Sequence, residues 1–337
     1  MKNILLAGVV ILIAGSIWYL QKDKITLVNS GQTGIDISVK PEIKLEEKVV
    51  EAPETKIKIP DNNFPPAKEI TTPDGFINTL PFKLADLIGK KVILVDFWTY
   101  SCINCQRTTP YLNAWYEKYK DAGLEIVGVH TPEFEFEKNY ENVKKATENA
   151  GIKFPVVLDN DYSTWQAYGN RYWPRKYLIN LQGKIVYDHI GEGAYAETEK
   201  KIQEQLGILA GEMVKVKADL PTNTQISAET YFGSSRNNNF NTGLKLTGDW
   251  QIQPEFAQNK LAGDSITMPY RAKKVFFVAG ADQPIEIEVK QDGKTVKTLT
   301  IQAETLYELI ENAEPEVHEL KIIIKSAGLR AYTFTFG

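Results

Sequence analysis

Cysteine and histidine are both scarce in this chain of 337 residues. Its two cysteines, Cys102 and Cys105, are too few for a disulfide-stapled scaffold, which a chain of this length does not need. A structural zinc site takes about four ligands, and only these cysteines and three histidines are available. One of the histidines, His318, falls in a different predicted domain. The sequence therefore disfavours a metal centre and calls for no cofactor.

An excess of positive charge is also missing, since the formal net charge is −4. Nucleic-acid-binding proteins usually carry a basic stripe or field, so we expect no nucleic-acid partner. A purely structural disulfide between Cys102 and Cys105 closes too small a loop to stabilise a fold much. What remains is a globular chain, long enough for two domains, whose candidate chemistry is the Cys-X-X-Cys motif itself.

The chain has one long hydrophobic run, and it lies at the N-terminus. The uncharged stretch from Ile4 to Leu20 reaches about 26 Å at the rise of a helix, just enough to cross a bilayer core. We predict a single transmembrane signal anchor over residues 1–20, and the alternative is a signal peptide cleaved near Ser16. Both interpretations place the rest of the chain outside the cytoplasm, in the periplasm or on the outer cell surface. The first also anchors it to the cytoplasmic membrane.

Composition divides the remaining chain into three regions. Residues 21–63 mix Lys, Glu and Pro without an apolar period, which predicts a flexible tether. Residues 64–210 alternate buried strands such as KKVILVDFW with helices such as FEKNYENVKKATENAG, which predicts an α/β domain. Residues 219–337 show period-2 runs and tight turns such as QDGK, which predicts an all-β domain. For that domain we favour a two-sheet sandwich of jelly-roll or galactose-binding-like type.

The two cysteines fall between a predicted strand and a predicted helix. A helix N-terminus offers unpaired N–H groups and the positive end of the helix dipole, so it stabilises a thiolate at Cys102. We predict that Cys102 attacks a disulfide and that Cys105, one turn further, resolves the mixed disulfide. Asp96 ends the strand, where a buried carboxylate is costly. We predict that it accepts the proton of Cys105; the alternative is a hydrogen-bonded strand-end aspartate.

The flanking segments carry a family resemblance. VDFWTYSCINC resembles the thioredoxin superfamily signature, and GVHTPEFEFEKNYENV and HIGEGAYAETEKKIQ are similar to the thioredoxin-like domain of DipZ-type proteins. These proteins are relatives of the TlpA/ResA class of extracytoplasmic thiol–disulfide oxidoreductases. AETYFGSSR, GDWQIQPEF and LRAYTFTFG resemble that family's C-terminal β-sandwich, which is similar to carbohydrate-binding modules. The resemblance covers about residues 64–337.

The resemblance implies a thioredoxin-like fold and further site residues. Thioredoxin-like folds carry a cis-proline opposite the cysteines, and YWPRKYLIN places Pro174 there, although an ordinary trans proline is the alternative. Trp173, which precedes it, and Trp98 of the signature are predicted to contact the substrate with Pro174. The implied substrates are protein disulfides. DipZ-type proteins commonly have a multi-helix membrane domain that supplies electrons, so this chain is expected to need a separate, CcdA-like membrane donor.

Two other functions stay open. A peroxiredoxin-like, peroxide-reducing enzyme is one, because Thr99 precedes Cys102 by three, but Val95 stands where that motif has a proline. A cell-surface glycan- or protein-binding module with secondary redox activity is the other. Its sugar-stacking platform would use aromatic residues that also suit a core, namely Tyr231, Phe232, Trp250, Tyr270, Tyr307 and Tyr332.

Two details near the motif bear on its chemistry. Neither Ile103 nor Asn104, between the cysteines, supplies the positive charge that stabilises the thiolate of strong oxidants, so a reductase or isomerase is favoured over an oxidase. His130 and Glu133 follow a predicted strand end, where catalytic loops often lie. They either border the active site or belong to a turn with a helix-capping glutamate.

Overall fold

The structure is a computed structural model that describes residues 63–208, 211–216, 226–236 and 242–337. The predicted signal anchor and nearly all of the predicted tether lie outside the described residues. Within them, no helix combines the length and apolar character that crossing a bilayer requires. Membrane attachment and location outside the cytoplasm therefore stay predictions.

A six-stranded mixed sheet organises the first part of the described chain. Its strands are β1 (Gly75–Ile77), β2 (Val92–Trp98), β3 (Leu124–His130), β4 (Val156–Leu158), β5 (Arg175–Ile179) and β6 (Ile185–Ile190). The helices are α1 (Ile103–Tyr119), α2 (Tyr140–Asn149), α3 (Ser163–Ala167) and α4 (Tyr195–Gln205), with short 3₁₀ helices at Leu84–Asp86 and Glu135–Lys138. The strand order is β1-β4-β3-β2-β5-β6, in which β2, β3 and β4 run parallel. The predicted α/β architecture with a thioredoxin-like fold is confirmed.

The central strand β2 contributes side chains to two apolar cores, one on each face of the sheet. All of its residues are buried, as expected for a strand that is covered on both faces. Because side chains alternate along a strand, Ile93 and Phe97 face one core, whereas Leu94 and Trp98 face the core shared with α1. Asp96 has the parity of the second set. The alternation therefore directs a carboxylate toward the helix that carries the cysteines.

Helix α2 is shorter than its sequence pattern predicts. The expected helix over FEKNYENVKKATENAG is confirmed, with Gly151 past its end, but its start is later than predicted, because a 3₁₀ turn ends at Lys138 and the α-helix begins at Tyr140. The side chain of Asn139 accepts a hydrogen bond from the N–H of Asn142 at 3.1 Å and so caps the new helix. The break places the segment before Asn139 in a loop near the cysteines.

The β domain contains nine strands in one hydrogen-bonded sheet. They are β7 (Thr230–Tyr231), β8 (Lys245–Thr247), β9 (Trp250–Ile252), β10 (Ala257–Asn259), β11 (Ser265–Gly280), β12 (Ile285–Gln291), β13 (Lys294–Ile301), β14 (Thr305–Ile324) and β15 (Arg330–Phe336). The prediction of an all-β domain is confirmed, but the two-sheet division is wrong for the hydrogen-bond network. Strand β11 pairs with β8 near its start and with β15 near its end. Register shifts after Ala272 and after Val275 let this long strand bend and serve both regions.

Most of the aromatic residues suggested for sugar stacking are part of the packing. Phe232 and Tyr270 are buried in the core of the β domain. Tyr332 is buried in a separate cluster with Phe134 of the thioredoxin-like domain and Val278. Tyr231, Trp250 and Tyr307 are half-buried. These residues do not form a common exposed platform, so their interpretation as core residues is the better one.

The β domain packs against the edge of the thioredoxin-like domain that carries the cysteine motif. Tyr332 contacts the rings of Phe134 and Phe136, with centroid distances of 5.1 and 4.8 Å. The hydroxyl of Tyr100, two residues before Cys102, donates a hydrogen bond to the carbonyl oxygen of Glu304 at 3.3 Å. The two domains therefore meet beside the candidate nucleophile.

Candidate active site

Cys102 occupies the N-cap position of α1. Its backbone is extended, and its Sγ accepts a hydrogen bond from the N–H of Cys105 at 3.3 Å. Cys102 is half-buried and Cys105 is buried, and both are free thiols. The sulfur of Cys102 thus lies at the positive end of the helix dipole, as the sequence predicts, and the buried thiol of Cys105 follows in the first turn of α1.

Cys105 and Asp96 are both buried titratable groups of the candidate site. Burial raises the pKa of the Cys105 thiol well above its usual range, and the neighbouring Cys102 and Asp96 raise it further. Burial also raises the pKa of Asp96 from 3.8 to about 7, an effect that Lys176 opposes. The Oδ1 atom of Asp96 is buried and has no hydrogen-bond partner. A carboxylate in this state can exchange a proton with a neighbouring thiol near neutral pH.

Lys176 is a site residue that the sequence analysis missed. It lies directly across from Asp96 in the β2–β5 pairing, and its side chain is fully buried. Burial lowers its pKa, whereas Asp96 and Cys105 raise it. Its Nζ donates a hydrogen bond to the carbonyl oxygen of Gly191 at 3.2 Å. The available signal was a lysine inside the strand RKYLI, because a buried lysine normally requires a partner charge.

Pro174 and Trp173 lie opposite the cysteines. The Trp173–Pro174 peptide bond is cis, in agreement with the prediction. The carbonyl oxygen of Trp173 is 3.9 Å from Sγ of Cys102, and its indole Nε1 donates to the carbonyl oxygen of Thr131 at 3.0 Å. Trp173 therefore lies beside Cys102, the candidate nucleophile. Contact of Trp173 and Pro174 with a substrate stays a prediction.

Trp98 and His130 lie beneath the site. Trp98 is only 5% exposed, and its ring stands edge-on to the ring of His130 at 5.1 Å. Burial lowers the pKa of His130 to about 3, so this residue is neutral at physiological pH. Substrate contact by Trp98 stays a prediction, and its burial argues against it.

The structure also places Thr99, the basis of the peroxidase alternative, and Glu133, a candidate for the border of the active site. Thr99 is fully buried, and its hydroxyl lies 3.4 Å from Nε2 of His130. It therefore lies in the core and lacks the exposure that a peroxide-binding residue needs. Glu133 borders the domain junction, where it accepts a hydrogen bond from the hydroxyl of Tyr231 at 2.7 Å and pairs with Arg236.

Glu137 is a second residue that the sequence analysis did not single out. It is fully buried and accepts hydrogen bonds from the hydroxyl and N–H of Ser101, at 2.6 and 3.3 Å. Burial and the nearby Glu133 raise its pKa to about 7. Glu137 also accepts a hydrogen bond from the N–H of Phe134 at 3.1 Å. It is therefore the helix-capping glutamate that the sequence predicts as the alternative for this turn.

Two family models match separate parts of the chain. The family model described as Redoxin matches residues 61–206, and the one described as Thioredoxin like C-terminal domain matches residues 241–337. Protein DipZ of Mycobacterium tuberculosis is 36% identical over 302 residues, which are 81% of this chain and 42% of DipZ. The chain thus spans less than half the length of that relative.

A shorter relative is matched over most of its length. The thiol-disulfide oxidoreductase ResA of Halalkalibacterium halodurans is 34% identical over 130 residues, which are 39% of this chain and 68% of ResA. The fold, the cysteine pair at a helix N-terminus and the cis-proline lead to the same assignment. This chain belongs to the thioredoxin-like family of thiol–disulfide oxidoreductases.

Proposed function

We propose that this protein is an extracytoplasmic oxidoreductase that reduces or isomerises protein disulfides with the dithiol of Cys102 and Cys105. The observation that carries the proposal is the surroundings of Cys105. Its buried thiol has a raised pKa and lies near the carboxylate of Asp96, which has an unpaired oxygen and a pKa of about 7. A structural cysteine pair does not need a buried proton acceptor.

The reaction proceeds by two exchanges. The thiolate of Cys102 attacks one sulfur of the substrate disulfide, so a mixed disulfide forms and the first substrate sulfur leaves as a thiolate. Asp96 then takes the proton of Cys105, whose sulfur attacks Sγ of Cys102. The Cys102–Cys105 disulfide forms, and the second substrate sulfur leaves. Two electrons have passed from the protein to the substrate, which takes up two protons.

Repeated reduction needs an electron donor. Membrane attachment by residues 1–20 would place this chain beside a separate CcdA-like membrane donor, which would reduce the Cys102–Cys105 disulfide by the reverse exchange. A Cys105→Ser variant leaves Cys102 without its resolving partner and should accumulate mixed disulfides in vivo. Finding a membrane protein among them supports this part of the proposal, and finding only soluble substrates contradicts it.

Insulin reduction tests the activity itself. The full-length protein should reduce insulin disulfides with dithiothreitol as electron source, and Cys102→Ser should lower the rate to the uncatalysed level. Asp121→Asn, an exposed position beyond the far end of α1, serves as control and should leave the rate unchanged. Equal and negligible rates for the wild type and Cys102→Ser would refute the proposal. Glycan binding by the β domain stays a separate prediction, which glycan-array binding of the full-length protein tests.

A further inference from the structure

The segment Thr99–Ser101 connects β2 to the nucleophile. Ser101 directly precedes Cys102 and is buried, and both its hydroxyl and its N–H donate hydrogen bonds to Oε1 of Glu137. The hydroxyl contact is short, at 2.6 Å. The position of the residue before Cys102 is therefore set by one carboxylate from another part of the chain.

The second oxygen of Glu137 holds a different loop. Oε2 accepts hydrogen bonds from the backbone N–H groups of Glu133 and Phe134, at 2.5 and 3.1 Å. One fully buried carboxylate thus joins the loop before Cys102 to the loop Glu133–Glu137. A glutamine could not replace it, because its NH₂ group would face N–H donors and leave them unpaired.

The β domain contacts the same loop, Glu133–Glu137, through hydrogen bonds and aromatic packing. Glu133 is held by Tyr231 and Arg236, and the N–H of Glu135 donates to Oε2 of Glu255 at 3.0 Å. Tyr332 packs against both phenylalanine rings of the loop. The β domain therefore contacts the Glu133–Glu137 loop, and Glu137 of that loop is hydrogen-bonded to Ser101.

We propose that Glu137 is a positioning residue that holds Cys102 at the N-terminus of α1, and that the β domain acts on Cys102 through the Glu133–Glu137 loop. The β domain is then a working part of the active site. The proposal rests on the proposed function only for the assignment of Cys102 as the nucleophile.

The test uses the full-length protein with Glu137→Gln, Ser101→Ala and the double variant. The readouts are the rate at which iodoacetamide alkylates Cys102 and the reduction potential of the dithiol against glutathione. Loss of the buried hydrogen bonds should slow alkylation about tenfold in Glu137→Gln. The double variant should be no slower than Glu137→Gln alone, because Glu137→Gln already disrupts the contact that Ser101→Ala removes. Ser101→Thr keeps the hydroxyl and should restore the rate, and the exposed Glu141→Gln should match the wild type.

The direction of the change separates positioning from charge. Removing a negative charge near a thiolate would by itself stabilise the thiolate and accelerate alkylation. Slower alkylation in Glu137→Gln, together with a lower reduction potential, supports positioning. Faster or unchanged alkylation, or a loss of thermal stability alone, would overturn it. If Glu137→Gln does not fold, Ser101→Ala against Ser101→Thr gives the same decision.

A pair of hydroxyl deletions tests the part played by the β domain. Tyr231→Phe removes the hydroxyl that donates to Glu133 and should slow alkylation about two- to threefold, as expected for hydrogen bonding lost at a distance from Cys102. Tyr307→Phe is the control, since among the described residues that hydroxyl bonds to Gln302 and Ala303 of its own domain. Equal rates for these two variants would overturn the role of the β domain. Alkylation needs no turnover, so inactivity of the wild type toward disulfides would count against the proposed function alone.

Discussion

The two domains differ in how completely their buried polar groups are hydrogen-bonded. Across the described residues, every buried side-chain polar atom that lacks a hydrogen-bond partner belongs to the thioredoxin-like domain, and Oδ1 of Asp96 and Nδ1 of His130 are among them. The β domain also buries an aspartate, Asp264, but its carboxylate accepts the N–H groups of Asp249, Lys260 and Leu261 at 2.9–3.1 Å. Satisfied polar groups stabilise a turn, whereas an unpaired one beside a thiol is available for chemistry.

The largest effect on activity is expected when Asp96 and Asp264 are each replaced by asparagine. Asp96→Asn removes the proton acceptor of Cys105 and should slow insulin reduction about 100-fold, within the usual range for general acid–base catalysis. The mixed disulfide on Cys102 should accumulate, because its resolution is the step that slows. Asp264→Asn should leave the rate per folded molecule unchanged. Similar losses in both variants would remove the distinction between a chemical and a structural aspartate.

Replacing these two aspartates should change the free energy of unfolding in opposite directions: Asp96→Asn should raise it and Asp264→Asn should lower it. The folded pKa of Asp96 is raised to about 7, so the folded state binds more protons than the unfolded state between about pH 4 and 7. Stability therefore falls as the pH rises through this window. Asp96→Asn should therefore increase the free energy of unfolding at pH 8. The pKa shift of Asp96 corresponds to about 4 kcal/mol, and the gain should be smaller than this because Lys176 loses its partner charge.

Urea unfolding of three proteins at two pH values tests this prediction. The gain in Asp96→Asn should be much smaller at pH 4, where the aspartate is protonated in the folded state and already partly protonated in the unfolded state. Asp264→Asn should lose about 1–3 kcal/mol at pH 8, because buried N–H groups are left unpaired. A stabilisation of Asp96→Asn that is equal at pH 4 and pH 8 would mean that its charge is not the cause.

Lys176 sharpens the contrast, since it is the charge that partly compensates Asp96. Its presence lowers the pKa of that carboxyl, so Lys176→Met should raise it further. We expect the acidic limb of the pH profile for insulin reduction to move upward by about one pH unit. Lys144→Met, at an exposed site on α2, is the control. An unchanged acidic limb would show that Lys176 does not act on Asp96.

The smallest effect is expected for Tyr307→Phe in the β domain. The hydroxyl donates to the carbonyl oxygen of Ala303 at 2.7 Å and accepts the N–H of Gln302 at 3.2 Å. Its loss should cost about 0.5–1.5 kcal/mol of unfolding free energy, measured by urea denaturation. The insulin reduction rate should stay at the wild-type value. A lower rate would show that this part of the β domain also bears on the chemistry.

Sequence patterns were sufficient where the decisive interactions are local. Apolar runs and helix signals predict the alternation of strands and helices, and the strand-to-helix junction alone places Cys102 at a helix N-terminus. The family resemblance supplied Pro174, whose peptide bond is cis. Sequence patterns predicted α2 but placed its start too early, because they did not anticipate the cap at Asn139. They failed for the layout of the β sheet, where irregular pairing joins the strands into one network.

Tertiary structure alone decided the partners of the site residues. Asp96 meets Lys176 because strands β2 and β5 pair in one particular register, and a shift by one residue would turn the lysine to the other face. Glu137 meets Ser101 because the break before α2 forms a loop that returns to the nucleophile, and the β domain packs on that loop. Residues 94–110 determined by themselves that this protein has a dithiol at a helix N-terminus. Contacts between distant segments, which no local pattern encodes, decided which charges surround it.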